Sequence, residues 1–135
     1  MFAIDASVTL AWCFADESSV PADRALALLE QEPAVAPAHW PLEVANALRT
    51  AERRGRLDAS DLPRLRALLT ALPVEIVPVE LTTATGGVLD AARMYDLSAY
   101  DAAYLELAAV RDVRLATIDE RLRAACGRAG VRVVG

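Results

Sequence analysis

Four acidic residues of this chain are candidates for a shared metal site, although they lie far apart in the sequence. Asp5 ends the apolar run MFAID and Asp119 ends RLATID, whereas Glu43 and Asp101 lie in the first turns of the predicted helices PLEVANALR and SAYDAAYLEL. Carboxylates gathered in a cleft repel one another and are costly to desolvate unless a cation neutralises them. Such a cluster indicates a divalent-metal site, and phosphodiester hydrolysis is the chemistry we expect of it.

The elements that must position these acids alternate between strand and helix. Apolar runs predict short strands at 2–5, 34–37, 74–79, 113–117 and 131–134. Helical periodicity predicts helices at 7–15, 21–31, 41–54, 58–72, 81–95, 98–110 and 119–129. Continuous apolar strands separated by helices are typical of a parallel sheet that is covered on both faces. We therefore predict a single three-layer α/β/α domain over residues 1–135, with a mostly parallel sheet of about five short strands.

A parallel sheet would carry the acids to one edge, because ligands in open α/β sheets bind outside the carboxyl ends of the strands. Asp5 lies at the carboxyl end of the first predicted strand, and Asp119 lies just beyond that of the fourth. These two strands are neighbours if the strand order reverses at the first one. Glu43 begins the helix after the second strand, and Asp101 begins the helix that leads into the fourth.

Two of the acids also have an ordinary explanation as helix caps, and Glu43 is favoured near a helix start by the helix macrodipole. Asp5 could cap the first helix, and Ser98 with Asp101 forms an S-x-x-D capping box. Thr117 with Glu120 forms a T-x-x-E box, which would leave Asp119 without a capping role. Capping does not explain why four acids converge on one strand edge, so the pattern favours a metal site.

The helix that carries Glu43 offers further polar residues. At about 100° per residue, Asn46 lies on the flank of Glu43, and Arg53 and Arg54 follow two to three turns later. An amide beside a metal-bound carboxylate can orient a water, and guanidinium groups can hold a substrate phosphate. The two arginines are equally well explained by their favourable position near the carboxyl end of the helix.

Composition narrows the class of protein. A chain of 135 residues suits one domain with a real core, and no apolar run approaches the length that spans a bilayer. No signal peptide is visible, so we expect a cytoplasmic protein with no membrane association. The net charge of −5 argues against a nucleic-acid coat held by electrostatics. It does not argue against a nuclease, because bound metal ions cancel local negative charge.

The sequence offers little support for a zinc site, a phosphorelay receiver domain or a haloacid-dehalogenase-type phosphatase. His39 is the only histidine, and it cannot complete a zinc site with the widely spaced Cys13 and Cys126. We expect His39 to lie in a loop or at a helix start rather than to act in catalysis. A phosphorelay receiver domain would need a lysine, which this chain lacks. A haloacid-dehalogenase-type phosphatase would need D-x-D-x-T where the chain has D-A-S-V-T.

Four segments in series carry a resemblance to a known family: DASVTLAW, WPLEVANALR, LSAYDAAYLELA and LATIDERL. Together they closely resemble a PIN domain of the VapC type, the ribonuclease toxins of bacterial and archaeal type II toxin–antitoxin pairs. The resemblance covers essentially the whole chain, in order. Each motif is short, and their specificity comes from the series.

The resemblance implies a site and a set of partners. The implied metal-binding and catalytic quartet is Asp5, Glu43, Asp101 and Asp119, supported by the polar side chains of Ser7, Asn46 and Thr117. The implied activity is that of a Mg²⁺- or Mn²⁺-dependent endoribonuclease, in which a metal-activated water cuts RNA to leave 5′-phosphate and 3′-hydroxyl ends. The resemblance also implies a homodimer and a cognate antitoxin whose tail occupies the active groove.

Two alternatives stay open at this point. The high apolar fraction, 55%, would also suit a catalytically weak PIN-like module whose main role is to bind an antitoxin-like peptide. A PIN nuclease that acts on DNA is the nearest enzymatic rival. Metal titration, cleavage assays and a comparison of RNA with DNA substrates separate these alternatives.

Overall fold

The computed structural model describes the whole chain from Met1 to Gly135 and contains one parallel four-stranded sheet. Its strands are β1 (Phe2–Ile4), β2 (Ala34–Pro37), β3 (Val74–Val77) and β4 (Leu115–Ala116). The strand order is β3-β2-β1-β4. Strands β2 and β3 therefore lie on one side of β1, and β4 lies on the other. The predicted reversal at the first strand is therefore confirmed, and β1 and β4 form a topological switch point.

Helices flank the sheet and account for most of the chain. They are α1 (Ala6–Cys13), α2 (Val20–Leu28), α3 (Trp40–Arg53), α4 (Leu62–Thr70), α5 (Leu81–Thr83), α6 (Leu89–Tyr95), α7 (Ala99–Arg111) and α8 (Glu120–Ala129). Short 3₁₀ turns lie at Ala15–Glu17 and Ala59–Asp61, and a π-helical turn lies at Ala84–Val88. None of these helices is long and apolar enough to cross a membrane.

The central strands are buried completely, as their continuous apolar sequence predicts. Every residue of β1 and β2 is buried, and α7 packs against β1, β2 and β4. The buried face of α7 is mostly alanine, which lets its backbone approach the sheet closely. The sheet edge at β3 is more open, with Ile76 42% exposed. The predicted α/β fold with a covered parallel sheet is confirmed.

The last two predicted strands are shorter than expected. The strand predicted at 113–117 contains only Leu115 and Ala116, and 131–134 contributes a single bridge, between Leu115 and Val133. The physical reason lies in the residues that follow β4. The backbone amide of Ile118 donates to the Ser7 side chain at 3.0 Å instead of joining a strand ladder. The chain therefore leaves the sheet early, at the place where the candidate site begins.

The helix predicted at 81–95 is also interrupted. Gly86 has non-helical backbone angles (φ −99°, ψ −108°), and a π-helical turn connects the two helical pieces. Its neighbour Gly87 faces α7, where an added Cβ atom would meet the end of the Glu106 side chain. The adjacent glycines therefore let this segment bend and approach α7 closely.

Candidate functional site

Asp5 lies at the switch point between β1 and β4 and is only 5% exposed. Its Oδ1 atom caps α1 by accepting from the Val8 amide at 3.2 Å, and also accepts from the Ser7 hydroxyl at 2.6 Å. Burial raises the pKa of this carboxyl from 3.8 to about 6, although hydrogen bonds from Ser7 and Thr117 act in the opposite direction. Asp5 is thus a buried acid whose negative charge is incompletely compensated by the protein.

Side-chain hydrogen bonds of Ser7 and Thr117 connect the loops that follow β1 and β4. The Thr117 hydroxyl donates to Oδ2 of Asp5, and it is completely buried. The Ser7 hydroxyl oxygen accepts from the Ile118 amide, so that it bridges the first and fourth strand ends. Both residues, expected to support the acids, contact Asp5 directly and fix its orientation.

Asp119 caps α8, which corrects the expectation that Thr117 does so. The Asp119 side chain accepts from the Leu122 amide at 3.1 Å, in the geometry of an N-cap. Thr117 is unavailable for capping because its hydroxyl is engaged with Asp5, while its oxygen accepts from the Asp119 amide at 3.1 Å. One hydroxyl therefore connects the positions of Asp5 and Asp119. The Asp119 residue itself remains exposed.

Asp101 lies in the first turn of α7, where the Ser98 side chain accepts from its backbone amide at 3.1 Å. The capping role predicted for Ser98 is thus confirmed. Burial raises the pKa of Asp101, and the nearby charges of Asp119 and Glu43 raise it further. Sequence alone constrained its position least, since that position depends on how α7 crosses the end of the sheet.

Glu43 lies in the first turn of α3, and two polar side chains contact one of its oxygens. The Tyr104 hydroxyl donates to Oε1 at 2.6 Å, and His39 Nε2 lies 3.2 Å from the same atom. The His39 contact lowers the pKa of Glu43 most, and the Tyr104 hydrogen bond adds to the effect. Sequence reasoning missed both partners. The available signals were spacings, because His39 precedes Glu43 by four residues and Tyr104 follows Asp101 by three.

The polar residues farther along α3 separate into two groups. Asn46, Thr50 and Arg54 line a cavity of about 330 Å³ that follows the Glu43 side of the helix. Arg53 is exposed but does not line this cavity. At about 100° per residue, Arg54 returns to the direction of Glu43, whereas Arg53 points roughly 80° away. The structure therefore distinguishes the two arginines that the sequence treated alike.

The donor set around this cleft fits a hard divalent cation. No three or more His, Cys, Asp or Glu side chains are grouped closely enough in this structure to hold a metal ion. The side chains of the four acids nevertheless offer only oxygen ligands, and Mg²⁺ binds through one or two carboxylates while it keeps several waters. A cation would also offset the burial of Asp5 and the repulsion at Asp101, which raise the pKa of each group.

Known proteins share both the sequence pattern and the fold of this chain. The chain matches the PIN domain family over residues 2–128. No curated protein matches the sequence. The structure of PAE2754 from Pyrobaculum aerophilum is similar, with a TM-score of 0.68 and 26% identity over 92% of this chain and 78% of that chain.

A second similar structure is VapC20 from Mycobacterium tuberculosis, a Sarcin-Ricin loop cleaving toxin. It has a TM-score of 0.66 and 16% identity over 93% of this chain and 95% of that chain. At this identity the likeness concerns the fold. The family match extends over nearly all of the sequence, and the chain therefore belongs to the PIN domain family.

Proposed function

We propose that this protein is a metal-dependent endoribonuclease that acts as the toxin of a toxin–antitoxin pair. The observation that carries the proposal is the buried carboxyl of Asp5 at the β1–β4 switch point, in a chain that belongs to the PIN domain family. PIN domains are nucleases, which gives the reaction class. The similar fold of VapC20, a toxin that cleaves the Sarcin-Ricin loop, supports RNA as the substrate and an antitoxin as the partner.

In this proposal, Mg²⁺ or Mn²⁺ is held by the carboxylates of Asp5, Glu43, Asp101 and Asp119. When bound, such an ion activates water and neutralises charge on the phosphoryl oxygens. The protein fixes the orientation of the carboxylates. The Ser7 and Thr117 hydroxyls do this for Asp5 through hydrogen bonds on its two oxygens. Hydrolysis by this route leaves 5′-phosphate and 3′-hydroxyl ends and does not involve the neighbouring 2′-hydroxyl.

The cavity along α3 is the proposed path of the RNA strand away from the acids. Arg54 lines it and offers a guanidinium group for a substrate phosphate, and Asn46 adds an amide donor and acceptor nearer to Glu43. Arg56 also lines this cavity, but its guanidinium group is paired with Asp16 and Glu17. Arg54 is therefore the arginine of this cavity that we assign to phosphate binding.

We expect Arg54→Ala to weaken binding of single-stranded RNA and to reduce the slope of log affinity against log salt by about 0.7, the value for one lost phosphate contact. Arg53→Ala is the matched control, because it removes the same charge one residue away and outside the cavity. Binding is measured by fluorescence anisotropy in an Asp101→Asn background, so that the RNA stays intact. Equal slopes for the two alanine variants would contradict the assignment of Arg54.

A second candidate function is favoured by a separate apolar groove. A cavity of about 590 Å³ lies between α3, α4 and β3, and its lining includes Val44, Leu48, Leu65, Leu69 and Ile76. Such a groove suits an amphipathic peptide. A PIN-like module whose main role is to bind an antitoxin-like segment, with slow turnover, would bind that segment in this groove.

The homodimer that we also propose is tested separately, by light scattering.

Cleavage of RNA in the presence and absence of metal tests the proposed function. We expect purified protein to cut an unstructured RNA with Mg²⁺ or Mn²⁺, to stop in EDTA, and to recover when Mn²⁺ is added in excess. End mapping should find 5′-phosphates, and a DNA oligonucleotide of the same sequence should be cut more slowly. Cleavage that persists in EDTA, or 2′,3′-cyclic phosphate ends, would contradict the mechanism. Metal binding without any cleavage would favour the binding module.

A further inference from the structure

Two polar side chains contact one oxygen of Glu43. The Tyr104 hydroxyl and His39 Nε2 both contact Oε1, at 2.6 Å and 3.2 Å. His39 Nε2 also lies 3.0 Å from the backbone carbonyl oxygen of Tyr100, which can only accept. The histidine must therefore carry its proton on Nε2. That proton is directed at the Tyr100 carbonyl, so the hydrogen bond on Oε1 comes from Tyr104, with His39 as a close polar neighbour. Both contacts fall on Oε1, which leaves Oε2 available to a ligand.

Tyr104 is well placed to hold Glu43 rigidly. It is 1% exposed and is the largest of the fully buried side chains. It lies three residues after Asp101, on the same face of α7, and this helix packs against β1 and β2. Its ring lies 4.9 Å from the His39 ring, centroid to centroid. One rigid helix thus supplies a carboxylate of the proposed site and the donor that orients another.

We propose that Tyr104 and His39 are positioning residues that hold Glu43 through Oε1, so that Glu43 presents only Oε2 to the metal ion. This inference rests on the metal site of the proposed function. Residues that orient metal ligands commonly change metal affinity by about 10- to 100-fold.

Calorimetric titration with MnCl₂ tests this assignment through a double-mutant cycle. Tyr104→Phe keeps the buried ring and removes only the donor, and we expect it to weaken Mn²⁺ binding about tenfold. In a Glu43→Ala background the same substitution should leave the Mn²⁺ affinity unchanged. Tyr95→Phe is the matched control. It also deletes a tyrosine hydroxyl, but the Tyr95 ring lies beside Arg128 and not beside the acids.

The results of this titration distinguish a failure of the positioning roles from a failure of the metal site. Unchanged or tighter binding by Tyr104→Phe overturns the proposal, as does an equal loss in both backgrounds, which would indicate a merely structural role. If Tyr104→Phe does not fold, His39→Phe replaces it in the cycle, with an expected loss of about threefold in the parent and none without Glu43. If Asp5→Asn and Asp101→Asn also leave Mn²⁺ binding unchanged, the metal site itself is wrong. If those two variants lose binding and Tyr104→Phe does not, only the positioning roles are wrong.

Discussion

Replacing Asp5 with asparagine should make the metal-free protein more stable and abolish its RNA cleavage. Asp5 is buried, and its charge is offset only by hydroxyl and amide donors. Asparagine has nearly the same shape and can use the same hydroxyl groups, which donate or accept as needed. The variant therefore keeps the local packing and removes a buried charge. Cleavage is lost because the substituted side chain no longer supplies an anionic oxygen to the proposed metal ion.

The stability gain should depend on pH in a defined direction. Burial raises the pKa of Asp5 from 3.8 to about 6, so the folded state holds a proton that the unfolded state has released between these values. The free energy of unfolding of the parent therefore falls as the pH rises through this window. The shift of about two pKa units corresponds to about 3 kcal/mol above the window, at about 1.36 kcal/mol per unit. An asparagine side chain does not titrate, so the Asp5→Asn variant does not undergo this loss.

Urea unfolding in EDTA measures the effect. We expect Asp5→Asn to exceed the parent by about 3 kcal/mol at about pH 8 and to match it within about 0.5 kcal/mol at about pH 4. Asp90→Asn, on the exposed surface of α6, is the control for removing one negative charge. A variant less stable than the parent at high pH, or equally stabilised at both values, would contradict the account of Asp5.

The Asp101→Asn variant is expected to lose RNA cleavage by about 10³-fold while it keeps its fold. A loss of that size corresponds to about 4 kcal/mol of transition-state stabilisation, which is within what a metal ion supplies to developing phosphoryl charge. The reason for the retained fold is electrostatic. Asp101 experiences repulsion from Asp119 and Glu43, so neutralising it relieves this repulsion in the metal-free site. The Ser98 cap of α7 is unaffected, because it uses the backbone amide of residue 101.

Single-turnover cleavage of a labelled RNA, with thermal unfolding in EDTA as the test of folding, measures this loss. Asp90→Asn again serves as the control and should cleave at the parent's rate. An Asp101→Asn protein that cuts RNA within about tenfold of the parent would show that this carboxylate is not a catalytic ligand.

The sequence predicted the sheet well because its signals are local. The runs that form β1 and β2 are continuous and apolar, and the structure confirms them together with their parallel pairing. It also confirms the strand order that reverses at β1. The short strand after Gly130 was overestimated because VRVV has strand character, whereas only the bridge at Val133 has a partner to pair with. Pairing of that kind is decided by tertiary contacts.

The candidate site shows the same division between local and tertiary information. Thr117 and Asp119 are both suitable helix caps, and only the position of Asp5 decides that Thr117 serves the carboxylate while Asp119 caps α8. Tyr104 has the pattern of a core residue, and it is one, yet its hydroxyl reaches Glu43 from another helix. This contact joins residues 61 positions apart, so it depends on how α3 and α7 pack at the end of the sheet. The metal-binding role of the four acids stays a prediction.

Anomalous scattering from crystals grown with Mn²⁺ would locate the metal ion without reference to activity. We expect an anomalous peak in the cleft between β1 and β4, with carboxylate oxygens of Asp5 and Asp101 at about 2.1 to 2.3 Å, close to the distances that Mg²⁺ prefers. No peak at saturating Mn²⁺, or a peak held only by residues outside this cleft, would contradict the proposed metal site.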